Sequence, residues 1–224
     1  REHRKVVLTD AGFEFWRVVR ETLKRLDHGI LRVRAYGKPA SLIVAVEPAF
    51  ASRWLVPRLH DFRTLHPEID LWLYSTDRDI DWDTDEVDIV IARGTPDTEP
   101  DARWLVPGDH VTPHAHPDLI KDLGEPAMLA ECTLLHDEMD EDWPAWFAAA
   151  DLGELDPTPG PSFSDSHHSL VTAEGGHGVV LASWFLASDA RRQGTLVAPF
   201  PELVVEAPGY AMTVVEEPTT SVMV

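Results

Sequence analysis

Residues 41–94 constrain the fold of this chain more than any other stretch. They begin with a short apolar run, continue as an amphipathic segment that ends at a proline, and close with two apolar runs separated by an acidic loop. The order strand, helix, strand, loop, strand is typical of an α/β protein with a parallel sheet. Such sheets bind ligands beyond the carboxyl ends of their strands. The strand ends at residues 47–51 and 92–95 are therefore the first candidates for a functional site.

Charge is divided unevenly along the chain. Residues 1–38 carry ten Lys and Arg side chains against five acidic ones, a net charge of +5, and the remainder carries nine against 34, a net charge of −25. A basic segment joined to an acidic body is typical of a protein of which one part faces nucleic acid. An acidic protein with one charged helix has the same pattern, so charge leaves both interpretations open.

Cysteine usage and hydropathy indicate a cytoplasmic protein. The single cysteine, Cys132, excludes an internal disulfide and suits a reducing compartment. It lies in a predicted strand, where a small buried apolar residue is expected rather than a nucleophile. The sequence shows neither a signal peptide nor an apolar run long enough to span a membrane.

A long helix is predicted over residues 10–36, with Thr9 as its N-cap and residues 37–39 as a hinge that ends it. Its apolar side chains follow the heptad spacing of a coiled coil. The members of this seam are Trp16, Val19, Leu23, Leu26, Ile30 and Val33. Two interpretations fit: dimerisation through the seam of a second subunit, which the hinge favours, or packing of the helix on the body of the same chain.

The βαβ order is predicted to continue beyond residue 94. Turn signals and apolar runs place strands at 102–106, 132–136, 161–163, 179–181, 196–198 and 210–215 and helices at 53–66, 119–123, 143–152, 166–174 and 183–192. In helix 53–66, Leu65 is assigned to the buried side. Residues 110–118 carry either a short strand or an irregular loop, and His110, His114 and His116 within them lack the spacing of a metal site.

Several short motifs, in one order, resemble a known family. They are residues 50–59 (FASRWLVPRL), 87–94, 136–146, 163–166, 176–181 and 194–200. Together they resemble the effector-binding domain of LysR-type transcriptional regulators, in the branch of the glycine-cleavage activator and the β-lactamase regulator. The resemblance implies two Rossmann-like subdomains of periplasmic-binding-protein type, preceded by a long linker helix. It assigns residues 41–107 plus 209–224 to subdomain I and residues 108–208 to subdomain II.

The start of the chain carries the resemblance further. Residues 4–12 resemble the end of the winged helix-turn-helix and the beginning of the linker helix in this family. Residues 1–9 would be the remnant of that domain, residues 10–38 the linker and dimerisation helix, and the DNA-reading helix would precede Arg1. Arg4 and Lys5 are candidate contacts to the DNA backbone. The resemblance implies a homodimer or homotetramer, and it implies that this chain by itself binds DNA poorly.

The resemblance also places an effector site between the subdomains. One wall is the loop Glu47, Pro48, Ala49 and Phe50; Arg93 and Tyr210 lie beside it, and Ser166 and His167 face it. Relatives often carry Ser or Thr at the position of Glu47, so this carboxylate argues against an acidic ligand and favours an amine-bearing or cationic one. Other interpretations stay open: Glu47 as a solvated strand end, Arg93 as a partner of nearby acids, Asp165 and Ser166 as a helix cap, His167 as a solvent-facing side chain, and Tyr210 as a structural residue.

Other classes of site find less support. The acidic run at residues 77–85 lacks the glycine and the closing glutamate of a calcium-binding EF-hand loop. Asp165, Ser166 and His167 lack the turn that surrounds a hydrolase nucleophile. We therefore expect a regulator without catalytic residues, metal or cofactor, which responds to a small molecule. A stand-alone solute-binding protein is the alternative.

Overall fold

Two five-stranded sheets form the body of the protein in the computed structural model, counted over the residues that it describes. These are residues 8–35, 41–78, 80, 87–95, 102–121, 123–137, 143–153 and 160–214. The first sheet is built from residues 41–106 and 209–214, and the second from residues 109–207. The expected α/β fold with two subdomains is confirmed.

The first sheet has the strand order β2-β1-β3-β10-β4. Its strands are β1 (Ser41–Val46), β2 (Asp70–Ser75), β3 (Ile89–Gly94), β4 (Arg103–Val106) and β10 (Gly209–Val214). β1 runs parallel to β2 and β3, as the opening stretch predicts. β10 runs antiparallel to β3 and β4, so the prediction of a βαβ order throughout was wrong. β10 returns from the second sheet instead of following a crossover helix after β3, and no such connection forces it to be parallel.

The second sheet has the strand order β7-β6-β8-β5-β9. Its strands are β5 (Asp109–His114), β6 (Leu134–Asp137), β7 (Ser162–Phe163), β8 (Val179–Ser183) and β9 (Val205–Ala207). β6 is parallel to β7 and β8, whereas β5 is antiparallel to β8 and β9. Of the strand and the loop that the sequence left open around His114, the strand is observed, and His114 lies in β5 and is fully buried. β9 was not predicted, because its three residues carry no usable periodicity.

Helix α1 spans Asp10–Ala35, and the predicted N-cap is confirmed, because Thr9 Oγ1 accepts a hydrogen bond from the Gly12 N–H at 3.1 Å. The helical segment after β1 begins at Pro48, five residues earlier than predicted. It runs through α2 (Pro48–Phe50), a π turn (Ala51–Leu55), a 3-10 turn (Val56–Arg58) and α3 (Leu59–Leu65). Pro57 has no N–H to donate, which breaks regular α-helical pairing at this point. Leu65 is 74% exposed, so its assignment to the buried side was wrong.

The remaining helices differ from prediction at two places. They are α4 (Trp143–Ala149), α5 (Ser166–Glu174) and α6 (Ser188–Gln193), with 3-10 turns at Pro117–Leu119 and Pro126–Glu131. No α-helix covers residues 119–123 in the described part of the chain. The helix expected from residue 183 begins only at Ser188, because Ser183 ends β8 and its hydroxyl accepts a hydrogen bond from the Leu186 N–H in the turn that follows.

Two further expectations from sequence need correction. The strand expected at residues 196–198 is a single bridge between Ala115 and Val197. Cys132 precedes β6 instead of lying in it, and it is partly exposed instead of buried. Burial and the nearby Glu131 raise the pKa of its thiol, which agrees with the expectation that Cys132 is not a nucleophile.

One hydrophobic core joins the two sheets. Val46 and Phe50 from the first subdomain share a buried cluster with Leu135, Leu170 and Val180 from the second. A second cluster lies within the second subdomain, around Trp143, Trp146 and Phe147. Burial of this apolar area is the main source of stability for both subdomains and for their mutual arrangement.

The chain passes between the sheets twice, and the two passages lie side by side. The first joins β4 to β5 through residues 106–109, and the second joins β9 to β10 through residues 207–209. Asp109 pairs with Ala207 and Tyr210 pairs with Val106 at the two ends. A Cβ atom on Gly209 would lie 1.9 Å from the carbonyl oxygen of Val106, so this approach is possible only for glycine.

Candidate functional site

The carboxylate of Glu47 lies at the carboxyl end of β1, where the chain turns into α2. Its oxygens accept hydrogen bonds from the backbone N–H groups of Ala49 (3.1 Å) and Phe50 (2.7 Å), so Glu47 is the N-cap of the helical segment. The wall expected as a loop is therefore the first turn of a helix. Glu47 is only 8% exposed, so it is not the solvated strand end that the sequence allowed.

Tyr210 and Arg93 complete the group around Glu47. The Tyr210 hydroxyl donates to Glu47 Oε2 at 3.3 Å, and this tyrosine is 1% exposed. Arg93 pairs with Tyr210 across β3 and β10, and its guanidinium carbon lies 6.0 Å from the tyrosine ring centroid. The structure thus brings together three predicted site residues. We call Glu47, Arg93 and Tyr210 the Glu47 cluster.

Burial dominates the electrostatics of Glu47. It raises the pKa of this carboxyl group, against the opposing effects of the Phe50 and Ala49 N–H groups and of Arg93. The carboxylate of Asp165, which belongs to the second subdomain, raises this pKa further. Charges from both subdomains therefore act on one carboxylate in the cleft.

The facing wall is the N-terminus of α5. Asp165 is its N-cap, and its Oδ1 accepts a hydrogen bond from the His167 N–H at 2.8 Å. Ser166 is buried and His167 is half-buried. Burial lowers the pKa of His167, and the guanidinium of Arg53 lowers it further. The predicted cap at Asp165 is confirmed, and it takes up one of the N–H groups that sequence reasoning offered to a ligand.

Aromatic side chains from both subdomains pack beside the Glu47 cluster. The Phe50 ring centroid lies 4.7 Å from that of Tyr210, 5.2 Å from Trp54 and 5.7 Å from Phe185. Ala49 and Phe50 are fully buried, so they contribute backbone N–H groups and packing rather than an exposed surface.

Sequence reasoning missed two residues of this site. Phe185 was placed inside a predicted helix, although its position directly after an apolar strand could have indicated it. Asp137 ends β6, is 3% exposed and accepts a hydrogen bond from the Ser169 hydroxyl at 3.0 Å. The sequence could have indicated Asp137 too, because it is a polar residue that directly follows a predicted strand.

Two arginines of the segment after β1 form ion pairs with the second subdomain. Arg53 Nη2 lies 2.5 Å from Glu174 Oε1 on α5. Arg58 makes a bidentate pair with Asp189 on α6, with N–O distances of 3.0 and 3.1 Å. Arg58 also donates to the Trp54 carbonyl oxygen and lies 4.8 Å from the Trp54 ring centroid. These contacts hold the guanidinium in place, so the pair favours the observed arrangement of the subdomains.

We expect the Arg58–Asp189 pair to contribute measurably to stability. In a double-mutant cycle with R58A and D189A, the coupling free energy should be about 1 kcal/mol, as for a well-oriented pair that is partly exposed. Urea unfolding at low ionic strength measures it. The i,i+3 pair of Glu14 and Arg17 on α1 is the control, since both side chains are 65% exposed, and its coupling should be near zero. Equal coupling in both pairs would contradict a special role for Arg58.

The seam of α1 is exposed along the part of the helix whose side chains are described. Exposed fractions are 43% for Trp16, 55% for Leu23, 58% for Leu26 and 43% for Ile30, and Val19 is half-buried. The helix does not pack this face on the body of its own chain. The Val33 side chain, the hinge at residues 37–39, most of the acidic run at 77–85 and the proposed DNA contacts Arg4 and Lys5 lie outside the described residues.

The described residues also bear on two other features, a metal site and a membrane-spanning helix. No group of three or more His, Cys, Asp or Glu side chains there has the geometry to hold a metal ion. None of the helices in that part of the chain is both long enough and apolar enough to cross a bilayer.

Comparisons with known proteins agree on one family. Residues 37–222 match the family model described as LysR substrate binding domain. The glycine cleavage system transcriptional activator of Escherichia coli K12 is 32% identical over 208 residues, which cover 92% of this chain and 68% of the activator. The transcriptional activator AmpR of Rhodobacter capsulatus is 30% identical over the full chain and 77% of its own length.

A solved structure supports the same grouping. The effector domain of the transcriptional regulator AmpR of Pseudomonas aeruginosa superposes with a TM-score of 0.65 at 30% identity, covering 82% of this chain and 90% of that domain. The names of these relatives describe regulators of transcription rather than enzymes.

Proposed function

The chain belongs to the LysR substrate-binding domain family, and from this premise we propose that it is the effector-binding and dimerisation part of a ligand-responsive transcription regulator. The observation that carries the proposal is the convergence of the Glu47 cluster and the N-terminus of α5 between the two sheets. Each group lies at the carboxyl end of a strand, where α/β proteins bind small molecules. The relatives supply the biological context, since they are named transcriptional activators.

We infer that different segments of the chain have different roles. Residues 1–9 join the body to a DNA-reading helix, with Arg4 and Lys5 at the DNA backbone, and residues 10–38 form the dimerisation helix. Residues 41–107 with 209–224 and residues 108–208 form the two effector-binding subdomains. A ligand between them stabilises one relative arrangement of the subdomains and changes the placement of α1, and with it the spacing of the DNA-reading helices in the dimer. Such a regulator acts in the cytoplasm.

The exposed seam of α1 supports dimerisation. Apolar side chains at heptad spacing on an exposed helix are stabilised when a second helix covers them. A second copy of the same chain offers an identical seam, which satisfies the self-complementarity of a twofold interface. A homodimer through α1 is therefore the minimal assembly that we propose, and a tetramer requires a further interface.

This function is tested by the association state and its dependence on the seam. We expect the chain to be a dimer at micromolar concentration and the double variant L23E/L26E to be a monomer, because charged side chains cannot be buried in the seam without a large desolvation cost. Sedimentation equilibrium measures both states. T22E is the matched control, since Thr22 is exposed on the same turn but off the seam, and it should remain dimeric. A wild-type chain that is strictly monomeric would favour a stand-alone solute-binding protein instead.

A further inference from the structure

The hydrogen-bond donors on the first wall of the cleft are already used by a side chain of the protein. The Ala49 N–H, the Phe50 N–H and the Tyr210 hydroxyl all donate to the carboxylate of Glu47. Two N–H groups in the first turn of a helical segment and a tyrosine hydroxyl are donors that suit a carboxylate. Here that carboxylate belongs to the protein. A free acid could not use these donors without displacing Glu47.

The hydrogen bonds of Glu47 leave capacity on one oxygen. A carboxylate offers about four acceptor sites, two on each oxygen. Oε2 accepts from Phe50 at 2.7 Å and from Tyr210 at 3.3 Å, whereas Oε1 accepts from Ala49 alone among the described residues, at 3.1 Å. Oε1 can therefore accept a further hydrogen bond from a donor outside this group.

The charges around Glu47 indicate the sign of that donor. The charged groups that act on this carboxylate from the two subdomains are Arg93, which is positive, and Asp165, which is negative. Arg53, the next cation in the cleft, is paired with Glu174 at 2.5 Å. Glu47, Asp165 and Arg93 together therefore carry a net charge of −1 when all are ionised. In a site of low dielectric, such a charge favours a cation.

We propose that Glu47 takes the position of an effector carboxylate, and that the ligand of this cleft presents a cationic N–H group, such as a primary amine or an amidine, to Oε1 of Glu47. The proposal rests on the proposed function, because it takes this cleft to be the effector site. The half-buried rings of Trp54 and Phe185, which pack on Phe50, add an apolar surface for the carbon skeleton of such a ligand. The positive charge of such a ligand also offsets the cost of ionising the buried Glu47 carboxyl group, whose pKa is raised by burial.

The first test asks whether the donors fit a free carboxylate. In E47A they lose their acceptor, so the variant should melt at a lower temperature than wild type. Sodium acetate at about 50 mM should restore at least half of that loss, whereas sodium chloride at equal ionic strength should not. Wild type should respond alike to both salts. E68A is the matched control, since Glu68 is 63% exposed at its side chain, and it should show no acetate-specific recovery.

A second variant keeps this test decisive. If E47A does not melt cooperatively, E47S carries the same measurement, since serine retains a small polar side chain at the strand end. Absence of acetate-specific recovery in the folded variant would overturn the assignment of Glu47 as a stand-in for a ligand carboxylate. An equal acetate response in wild type would overturn it as well.

The second test addresses ligand class with two derivatives of glycine that differ in the charge they carry. Glycinamide carries only the ammonium group of glycine, and N-acetylglycine carries only its carboxylate. Isothermal titration should show glycinamide binding to wild type at least about tenfold more tightly than N-acetylglycine, and E47S should reverse the order. A wild-type preference for N-acetylglycine, no preference, or no binding of either probe would contradict a cationic ligand.

These outcomes are separable from the fate of the proposed function. Acetate recovery and probe preference depend only on the cleft, whereas the regulator assignment depends on dimerisation through α1. A dimer dissociated by L23E/L26E that prefers N-acetylglycine would keep the regulator and refute the ligand class. A monomer that prefers glycinamide would refute the dimeric regulator and keep the ligand class.

Discussion

Replacing Gly209 by alanine should lower the free energy of unfolding by about 3 kcal/mol, because the new methyl group has no room where the two passages between the sheets meet. Its Cβ atom would lie 1.9 Å from the Val106 carbonyl oxygen and 3.0 Å from the Gly108 nitrogen. Both are backbone atoms, so no side-chain rotation relieves the overlap. β10 must move away from β4, and the hydrogen bonds between these strands are lost. Urea unfolding followed by tryptophan fluorescence measures the change.

Gly108 provides the control for this substitution. It lies in the neighbouring passage, and a Cβ atom there would meet nothing within 4 Å. G108A should therefore change the unfolding free energy by less than about 0.5 kcal/mol, and it measures separately the effect of the lower entropy of the unfolded chain, which by itself would raise stability. Similar losses in the two variants would contradict the close approach described here.

Acidification should destabilise the protein through His114. This imidazole is fully buried in β5, and its Nδ1 donates to the Thr112 carbonyl oxygen at 2.8 Å, because a carbonyl can only accept. Nε2 is buried and has no hydrogen-bond partner within the described ranges. Burial, reinforced by the charge of Arg191, lowers the pKa of His114 to about 4. A proton on Nε2 would therefore place an unpaired charge in the core.

The direction of the pH effect follows from the two protonation states. The pKa of His114 is about 4 in the folded chain, below its ordinary value of 6.5. At a pH between these two values, the unfolded chain therefore binds more protons than the folded chain. The contribution to stability is complete above about pH 6.5 and is lost progressively as the pH falls to about 4. The full loss is about 3 kcal/mol. Urea unfolding at a series of pH values measures it.

The variant H114L isolates this contribution from other titrating groups. It removes the imidazole but leaves Glu47, whose pKa is raised and whose effect on stability has the opposite sign over acidic pH. The difference in unfolding free energy between wild type and H114L should fall by most of the expected amount between pH 7 and pH 4. H60Q is the control, since His60 is exposed on α3, and it should keep the wild-type slope. A wild-type slope in H114L would show that His114 is not the responsible group.

The sequence predicted the part of the fold that local patterns determine. The apolar run 41–46, buried on both faces, and the heptad spacing of α1 each identify their element without further context. Several members of the site were also predictable, because polar residues at strand ends, such as Glu47 and Arg93, stand out against apolar runs. What the pattern could not supply was the direction of β10, since antiparallel and parallel neighbours have the same alternation of side chains.

The features that sequence reasoning missed depend on contacts between distant residues. Whether Glu47 is solvated or buried is decided by Tyr210, which is 163 residues away. Whether residue 185 is helical or lies in a turn is decided by Asp109, whose carboxylate accepts a hydrogen bond from the Phe185 N–H at 3.3 Å. The stretch around His114 stayed undecided between strand and loop because of its prolines, although β5 accommodates Pro113 in pairing with β8. Such choices follow from tertiary packing and not from local propensity.

The two passages between the sheets also determine the mechanics of the molecule. One covalent tether would let the subdomains rotate about three axes relative to each other. Two tethers side by side, held together by the Asp109–Ala207 and Tyr210–Val106 pairs, resist splaying and leave one easy axis of bending. Motion of one subdomain against the other is therefore reduced to one main coordinate, as in hinge-type domain closure.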